Sequence, residues 1–249
     1  MAEDSETATL DGPDFRPLYA QVKDLMIRRM LRGDWRPGDA LPSEGRLAVE
    51  FGVSQGTVRK ALDEMATQNL IERQQGRGTF IAQHSQQRAL FRFFHIRDES
   101  GVKELPTGRV LAVKHMRADR AQARRLALPT RAPVITVLRL RALRGRPVIL
   151  ERIALPAALF PGLDLPIGRE LPDELYILYQ QRFGVTVARA QEKLRAIAAD
   201  ALDARSLGVA RGAPLLEIDR LALALGGDPV EWRVSRCNGA HHHYYSEID

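Results

Sequence analysis

One cysteine, Cys237, stands among 249 residues, which excludes an internal disulfide and fits a reducing cytoplasm. No apolar run approaches the ~20 residues that a membrane-spanning helix needs, so no membrane partner is expected. The opening residues Met1-Ala2-Glu3-Asp4-Ser5-Glu6 are acidic and lack an apolar stretch, so no signal peptide is expected. His-Glu-x-x-His is missing, and no activated-cysteine setting is found. What is present, 45% hydrophobic and 27% charged residues, is the composition of a globular protein long enough for two cores.

The chain is basic, with a net charge of +6 and a pI near 9.8. That charge does not mark one nucleic-acid-binding half. Residues 1–83 carry 11 Lys+Arg against 13 Asp+Glu, and residues 84–249 carry 26 against 18. Five of the acids fall in residues 1–14, which read as a disordered tail.

Residues 42–80, PSEGRLAVEFGVSQGTVRKALDEMATQNLIERQQGRGTF, hold a compact order of signals. Ser43 precedes Glu44 and can cap a helix whose apolar residues are Leu47, Ala48 and Phe51, with Gly52 to end it. Ser54 can cap a second helix with an inward stripe of Val58, Ala61, Leu62, Met65 and Ala66. Gln55, Gly56, Thr57, Arg59 and Lys60 are left on its outer face near the N-terminus, where a recognition helix meets base edges and phosphates. Leu70–Arg73 and Thr79–Ile81 read as a hairpin around Gln75, Gly76 and Arg77, a basic wing. Upstream, Leu18, Val22, Leu25, Met26 and Met30 complete a three-helix core. Each signal alone is ordinary in any helical protein; the order and spacing together specify a winged helix-turn-helix.

This stretch resembles the DNA-binding domain of GntR-family bacterial transcription regulators. The resemblance implies double-stranded operator DNA as a partner and contacts from Gly45, Gln55, Gly56, Thr57, Arg59, Gln75 and Gly76, to which the local pattern adds Ser43, Arg46, Ser54, Lys60 and Arg77. Many family members carry arginine where this chain has Gly45 and Gln55. Glycine has no side chain for a base, and glutamine suits adenine better than guanine, so an atypical operator is expected.

From about Leu90 the texture changes. Arg109–Met116, Val134–Leu143, Pro147–Leu155, Glu192–Ile197, Leu215–Leu223 and Val230–Cys237 have strand character, and Asp119–Leu126, Asp173–Arg182 and Asp200–Ser206 helical character. Arg144-Gly145-Arg146 and Gly226-Gly227-Asp228 read as hairpin turns, which argues for an antiparallel sheet. The polar stretch from Gln83 to Gln87 marks a boundary.

VLRLRALRGRPVILERIALPAALFPGLD, followed by the strand Gly212-Ala213-Pro214-Leu215-Leu216-Glu217, resembles the UTRA effector domain of the HutC subfamily. The expected architecture is therefore α+β: an N-terminal winged helix-turn-helix joined to a C-terminal antiparallel α+β domain of chorismate-lyase-like (UTRA) fold. The expected parts are a tail (1–14), the DNA-binding domain (15–82), a linker (83–90) and an effector-binding and dimerisation domain (91–249).

Arg139 and Arg141 are two apart on a strand and project from one face, while Leu138 and Leu140 project from the other. Two neighbouring like charges need an anion or acidic partners. The resemblance implies that they grip an acidic ligand, with Glu151 and Glu231 facing the same pocket and Phe94, His95 and Arg97 nearby. The plainer reading is a solvated face with cross-strand salt bridges. His241-His242-His243 alternate faces in an extended chain and have no carboxylate or cysteine at ligand spacing, so neither a metal nor a cofactor is expected.

Together these signals imply a one-component, non-enzymatic regulator, a repressor by family default, that is homodimeric and modulated by a small anionic metabolite. Two alternatives stay open: an enzyme of chorismate-lyase type, or a ligand-independent DNA-binding protein whose second domain only dimerises.

Overall fold

The computed structural model describes residues 16–83, 93–101, 106–172 and 175–247. The chain divides into two units, Met1–Ala82 and Gln83–Asp249. The expected tail, and the expected linker beyond Gln83, lie outside the described residues.

The first unit runs α1 (Leu18–Arg32), α2 (Glu44–Phe51), α3 (Gln55–Thr67), β1 (Ile71–Gln74) and β2 (Gly78–Ile81). Its caps are those the sequence calls for. The Ser43 hydroxyl accepts from the Arg46 amide and the Ser54 hydroxyl from the Thr57 amide, while Gly52 closes α2 in the left-handed region at φ 63°. Leu47, Val58, Leu62 and Met65 are fully buried, as are Val22 and Met26 of α1, and α1 and α2 both pack against α3. Leu18 and Leu25, expected in that core, are instead 59% and 44% exposed. At about 100° per residue, Val22 and Met26 lie about 40° apart, and Leu25 falls about 60° round from Val22 on the far side. α1 thus buries a narrower stripe than its apolar content suggests.

In the second unit β4 (Thr107–Arg117), β5 (Pro133–Leu143), β6 (Arg146–Pro156), β7 (Glu170–Pro172), β8 (Val187–Ala198), β9 (Pro214–Ala224) and β10 (Pro229–Cys237) form one sheet. Its order is β7-β4-β5-β6-β10-β9-β8, and each of these strands pairs antiparallel with its neighbours. The β5–β6 loop is two residues, Arg144 and Gly145, both at positive φ (49° and 73°), the primed-turn geometry that matches strand twist. Residues 173–174 of the helix expected over Asp173–Arg182 lie outside the described residues; its described part is α5 (Leu175–Phe183). The capped helices α4 (Arg120–Arg125) and α6 (Ala201–Leu207) begin after Asp119 and Asp200, whose carboxylates accept from backbone amides of the first turn. A short ribbon of β3 (Ile96–Asp98) and β11 (His242–Tyr244) was not expected.

The sheet carries helices on both faces. One face packs Ala123 of α4 against Val134 and Ala154, and Leu207 of α6 against Leu140, Leu150 and Leu215. The other carries two apolar clusters. Tyr176 and Tyr179 of α5 cover Ile135, Val137, Ile153 and Ala222 at one end. At the other, Phe94 and Ile96 cover Ile149, Ile218 and Cys237. Between these two clusters the same face bears charged residues.

Cys237 is 1% exposed, and burial, followed by the field of Glu151, pushes its thiol up to about 12. Against an ordinary thiol of about 8.5, that leaves roughly a thousandfold less thiolate at mildly alkaline pH. Native protein should therefore resist a disulfide reagent that labels the denatured chain at once. Equal labelling rates would contradict the packing around this residue.

Candidate functional sites

In the first unit, Gly45, Arg46, Gln55, Gly56, Arg59, Lys60, Gln75, Gly76 and Arg77 are exposed on α2, α3 and the β1–β2 turn. Several of these side chains already have partners. Arg59 donates to Glu44 from Nε (3.0 Å) and lies 2.9 Å from it through Nη2, and Gln55 Nε2 donates to the same oxygen at 3.4 Å. The hydrogen bond from Arg59 is the chief reason the Glu44 carboxyl sits below its ordinary value. Lys60 turns its ammonium over the Tyr19 ring at 4.2 Å and Arg77 lies over Phe80. Ser43 and Ser54 spend their hydroxyls on capping, and Thr57 shares its own with Ser54 at 2.9 Å. Gly52-Val53-Ser54-Gln55-Gly56 has the spacing of a nucleophile elbow, yet Ser54 follows a helix end where an elbow requires a strand.

The second unit brings charges together inside the fold. Arg139 and Arg141 are 3% and 5% exposed, so the solvated-face reading of these arginines fails, although the expected cross-strand pairing is present. Glu151, which faces Arg139 in the β5–β6 register, is 1% exposed. Its Oε2 accepts from Arg139 Nε at 2.7 Å. Its Oε1 accepts from Arg141 at 3.1 Å and from Arg233 at 3.2 Å, with the Ser235 hydroxyl at 3.4 Å. Burial alone would raise this carboxyl, but Arg139, Arg233 and Arg141 outweigh it and hold Glu151 far below the carboxylate range.

Glu231 differs from expectation. It is completely buried, and both its oxygens are taken, by Tyr176 (3.0 Å), Tyr179 (2.8 Å) and a two-pronged pair from Arg233 (2.9 and 2.8 Å). It fastens α5 to the sheet and does not line the cavity. Burial, and then this carboxylate, push the Tyr176 hydroxyl up to about 12.

A small cavity of about 20 Å³ is lined by Phe94, His95, Arg141 and Glu151 together with Arg220, Arg233, Ser235 and Tyr244. That is space for about one water molecule. Arg220 pairs with Glu192 at 2.6 Å and donates to the Phe93 carbonyl; Tyr244 donates to the other Glu192 oxygen, and His95 stacks on Tyr244 with ring centres 5.1 Å apart. Arg141 lies over the Phe94 ring at 4.4 Å. Arg97 stacks on Tyr245 at 3.6 Å and, like Glu231 and Arg139, is not in the cavity wall; Arg139 donates to Glu151, which is. Sequence reading missed Arg220, Arg233, Ser235 and Tyr244. Alternation carried a usable sign for β10, where Glu231, Arg233 and Ser235 share a face.

Among the described residues, four guanidiniums (Arg139, Arg141, Arg220, Arg233) thus meet three carboxylates (Glu151, Glu192, Glu231) inside the second unit.

Comparison with known proteins bears on both units. The UTRA domain model matches residues 103–243, and the model of bacterial regulatory proteins of the gntR family matches residues 18–81. The histidine utilization repressor of Pseudomonas putida is 32% identical over 222 residues, spanning 88% of this chain and 86% of that one. The mannosyl-D-glycerate transport/metabolism system repressor MngR of Escherichia coli is 29% identical over 203 residues, 81% of this chain and 83% of that one. Among solved structures, the ligand-binding domain of a GntR-family regulator from Bordetella bronchiseptica is 32% identical, covers 62% of this chain and 96% of its own, and superposes with a TM-score of 0.57.

Proposed function

We propose that this chain, which belongs to the GntR family of bacterial regulatory proteins and carries the UTRA domain of the HutC subfamily, represses transcription as a homodimer that releases its operator when an organic anion enters the second unit. The observation that supports the ligand class is the buried set of three guanidiniums that converge on the single carboxylate of Glu151. The relatives' names point to different substrates, so the class is read from this chain's own residues. Arg139 and Arg141 supply the attraction and Glu151 is the internal anion that an entering carboxylate or phosphate competes with. Arg233 and Arg220 complete the anion-binding set, while Phe94 and His95 form the wall that moves. Two copies paired through the second unit present two recognition helices to a pseudo-palindromic site in a cytoplasmic setting. A change in the 83–90 linker then alters the spacing of the two DNA-reading heads. Coupling of about 1–3 kcal/mol would change operator affinity roughly 5–150-fold.

No catalytic step is assigned: the family's members are regulators, and the cluster's acids are already committed to arginines and tyrosines. On the DNA side, Arg46, Gln55, Gly56, Arg59, Gln75, Gly76 and Arg77 form the reading surface, with Ser43 and Ser54 holding the helix ends that offer amides to phosphate. Footprinting on the promoters of the chain's neighbouring genes tests this. Wild-type protein should protect a two-fold site, and Arg59→Ala should lose that protection at matched salt. Equal protection by Arg59→Ala, or no preference over scrambled duplex, would refute the assignment.

A further inference from the structure

Glu44 stands outside the contact set above, yet it touches two of that set's members. We propose that Glu44 is a specificity-determining residue of the DNA-reading surface, because it fixes which atoms Gln55 and Arg59 present to a base. The inference rests on the DNA-binding reading and deepens it.

Glu44 is the first residue of α2, and Gln55 and Arg59 lie one turn apart on the exposed side of α3. A single oxygen of Glu44 takes both: Arg59 through Nε at 3.0 Å and Nη2 at 2.9 Å, Gln55 through Nε2 at 3.4 Å. The second oxygen lies 3.7 Å from Arg73, which is itself held by Asp63 at 2.6 Å. An ionised carboxylate is an acceptor only, so the Gln55 amide must turn its NH2 toward Glu44 and its Oε1 away. A free glutamine can flip its amide and meet either a donor or an acceptor on a base edge. With Glu44 in place the flip is blocked, and Oε1 is the atom offered first. In the major groove that atom pairs with an amino group, which adenine (N6) and cytosine (N4) have and guanine and thymine lack.

The same carboxylate occupies the Nε–Nη2 edge of Arg59 and offsets its charge. That weakens sequence-independent attraction to phosphate. Glu44 therefore trades general affinity for discrimination.

The test selects duplexes from a randomised pool with full-length wild type, Glu44→Gln, Glu44→Asp and Gln55→Ala. Aspartate keeps the negative charge at the α2 N-terminus, and so its fold, but is too short to hold both partners. Wild type is expected to enrich adenine or cytosine at one position per half-site, and Gln55→Ala to erase that preference there alone. Glu44→Gln and Glu44→Asp are expected to admit guanine and thymine at that position. Glu44→Gln should also bind scrambled duplex more tightly, with the slope of log K against log salt steeper by about one. If wild type enriches a site and both Glu44 variants keep its base preference, the inference is overturned while the DNA-binding reading stands. If wild type enriches nothing, that reading falls and the inference falls with it.

Discussion

Replacing Glu151 with alanine is expected to cost the second unit about 3–5 kcal/mol of unfolding free energy, because it strands buried charge. Glu151 is the shared acceptor for Arg139, Arg141 and Arg233, which are 3%, 5% and 5% exposed. Removing it leaves the three guanidiniums without their common acceptor. Urea unfolding monitored on the second unit reads the loss directly. The pH profile supplies an independent check. A carboxyl held below its ordinary value contributes stability that is complete above the unfolded pKa of about 4.3 and is lost as pH falls from there through the folded value. Glu151 and Glu192 are both depressed, the former far more. Wild-type stability should hold from neutrality to about pH 5 and fall below about pH 4, and Glu151→Ala should flatten much of that fall. A cost under about 1 kcal/mol would mean that water already reaches the cluster.

The second large effect is selective. Arg139→Met removes one of the three guanidiniums on Glu151 and leaves Arg141 and Arg233 in place. Glu151 keeps two guanidinium partners, so the fold loses far less than in Glu151→Ala. A ligand anion that takes the place of Glu151 on Arg139, however, loses a desolvated partner, a change that typically costs about 2–5 kcal/mol, roughly 30- to 5000-fold in affinity. Thermal shift against a panel of carboxylates and phosphate monoesters should show stabilisation of the wild type and none of Arg139→Met. Operator affinity without ligand should agree between the two within about twofold. Stabilisation of both proteins by the same compound would place the anion elsewhere.

Local chemistry explains what could be read from the chain alone. Ser43, Gly52, Ser54, Asp119 and Asp200 bound helices through their own side chains or backbone freedom, so those ends are legible without knowing the fold. Arg144-Gly145 announces a hairpin for the same reason. The β3–β11 ribbon is not legible, because its two three-residue strands lie far apart in sequence and neither has a period to detect. Arg220 and Arg233 look like surface arginines in alternating strands until the registers of β8 with β9 and of β10 with β6 carry them beside Glu192 and Glu151. Glu231 has the right face but the wrong neighbours: Tyr176 and Tyr179 arrive from α5 and consume it. Alternation gives the face of a side chain, and only tertiary packing decides what covers that face. Leu18 and Leu25 fail in the same way, since apolar character did not say how wide a stripe α1 would bury.

In the proposed function, an organic anion held at the Arg139–Glu151 cluster controls operator binding. The direct measurement is the operator dissociation constant of full-length wild type and Arg139→Met, with and without the carboxylate or phosphate monoester that most stabilises the wild type. Adding that compound should change the wild-type constant roughly 5–150-fold and leave that of Arg139→Met unchanged. An unchanged wild-type constant, or the same shift in both proteins, would contradict it.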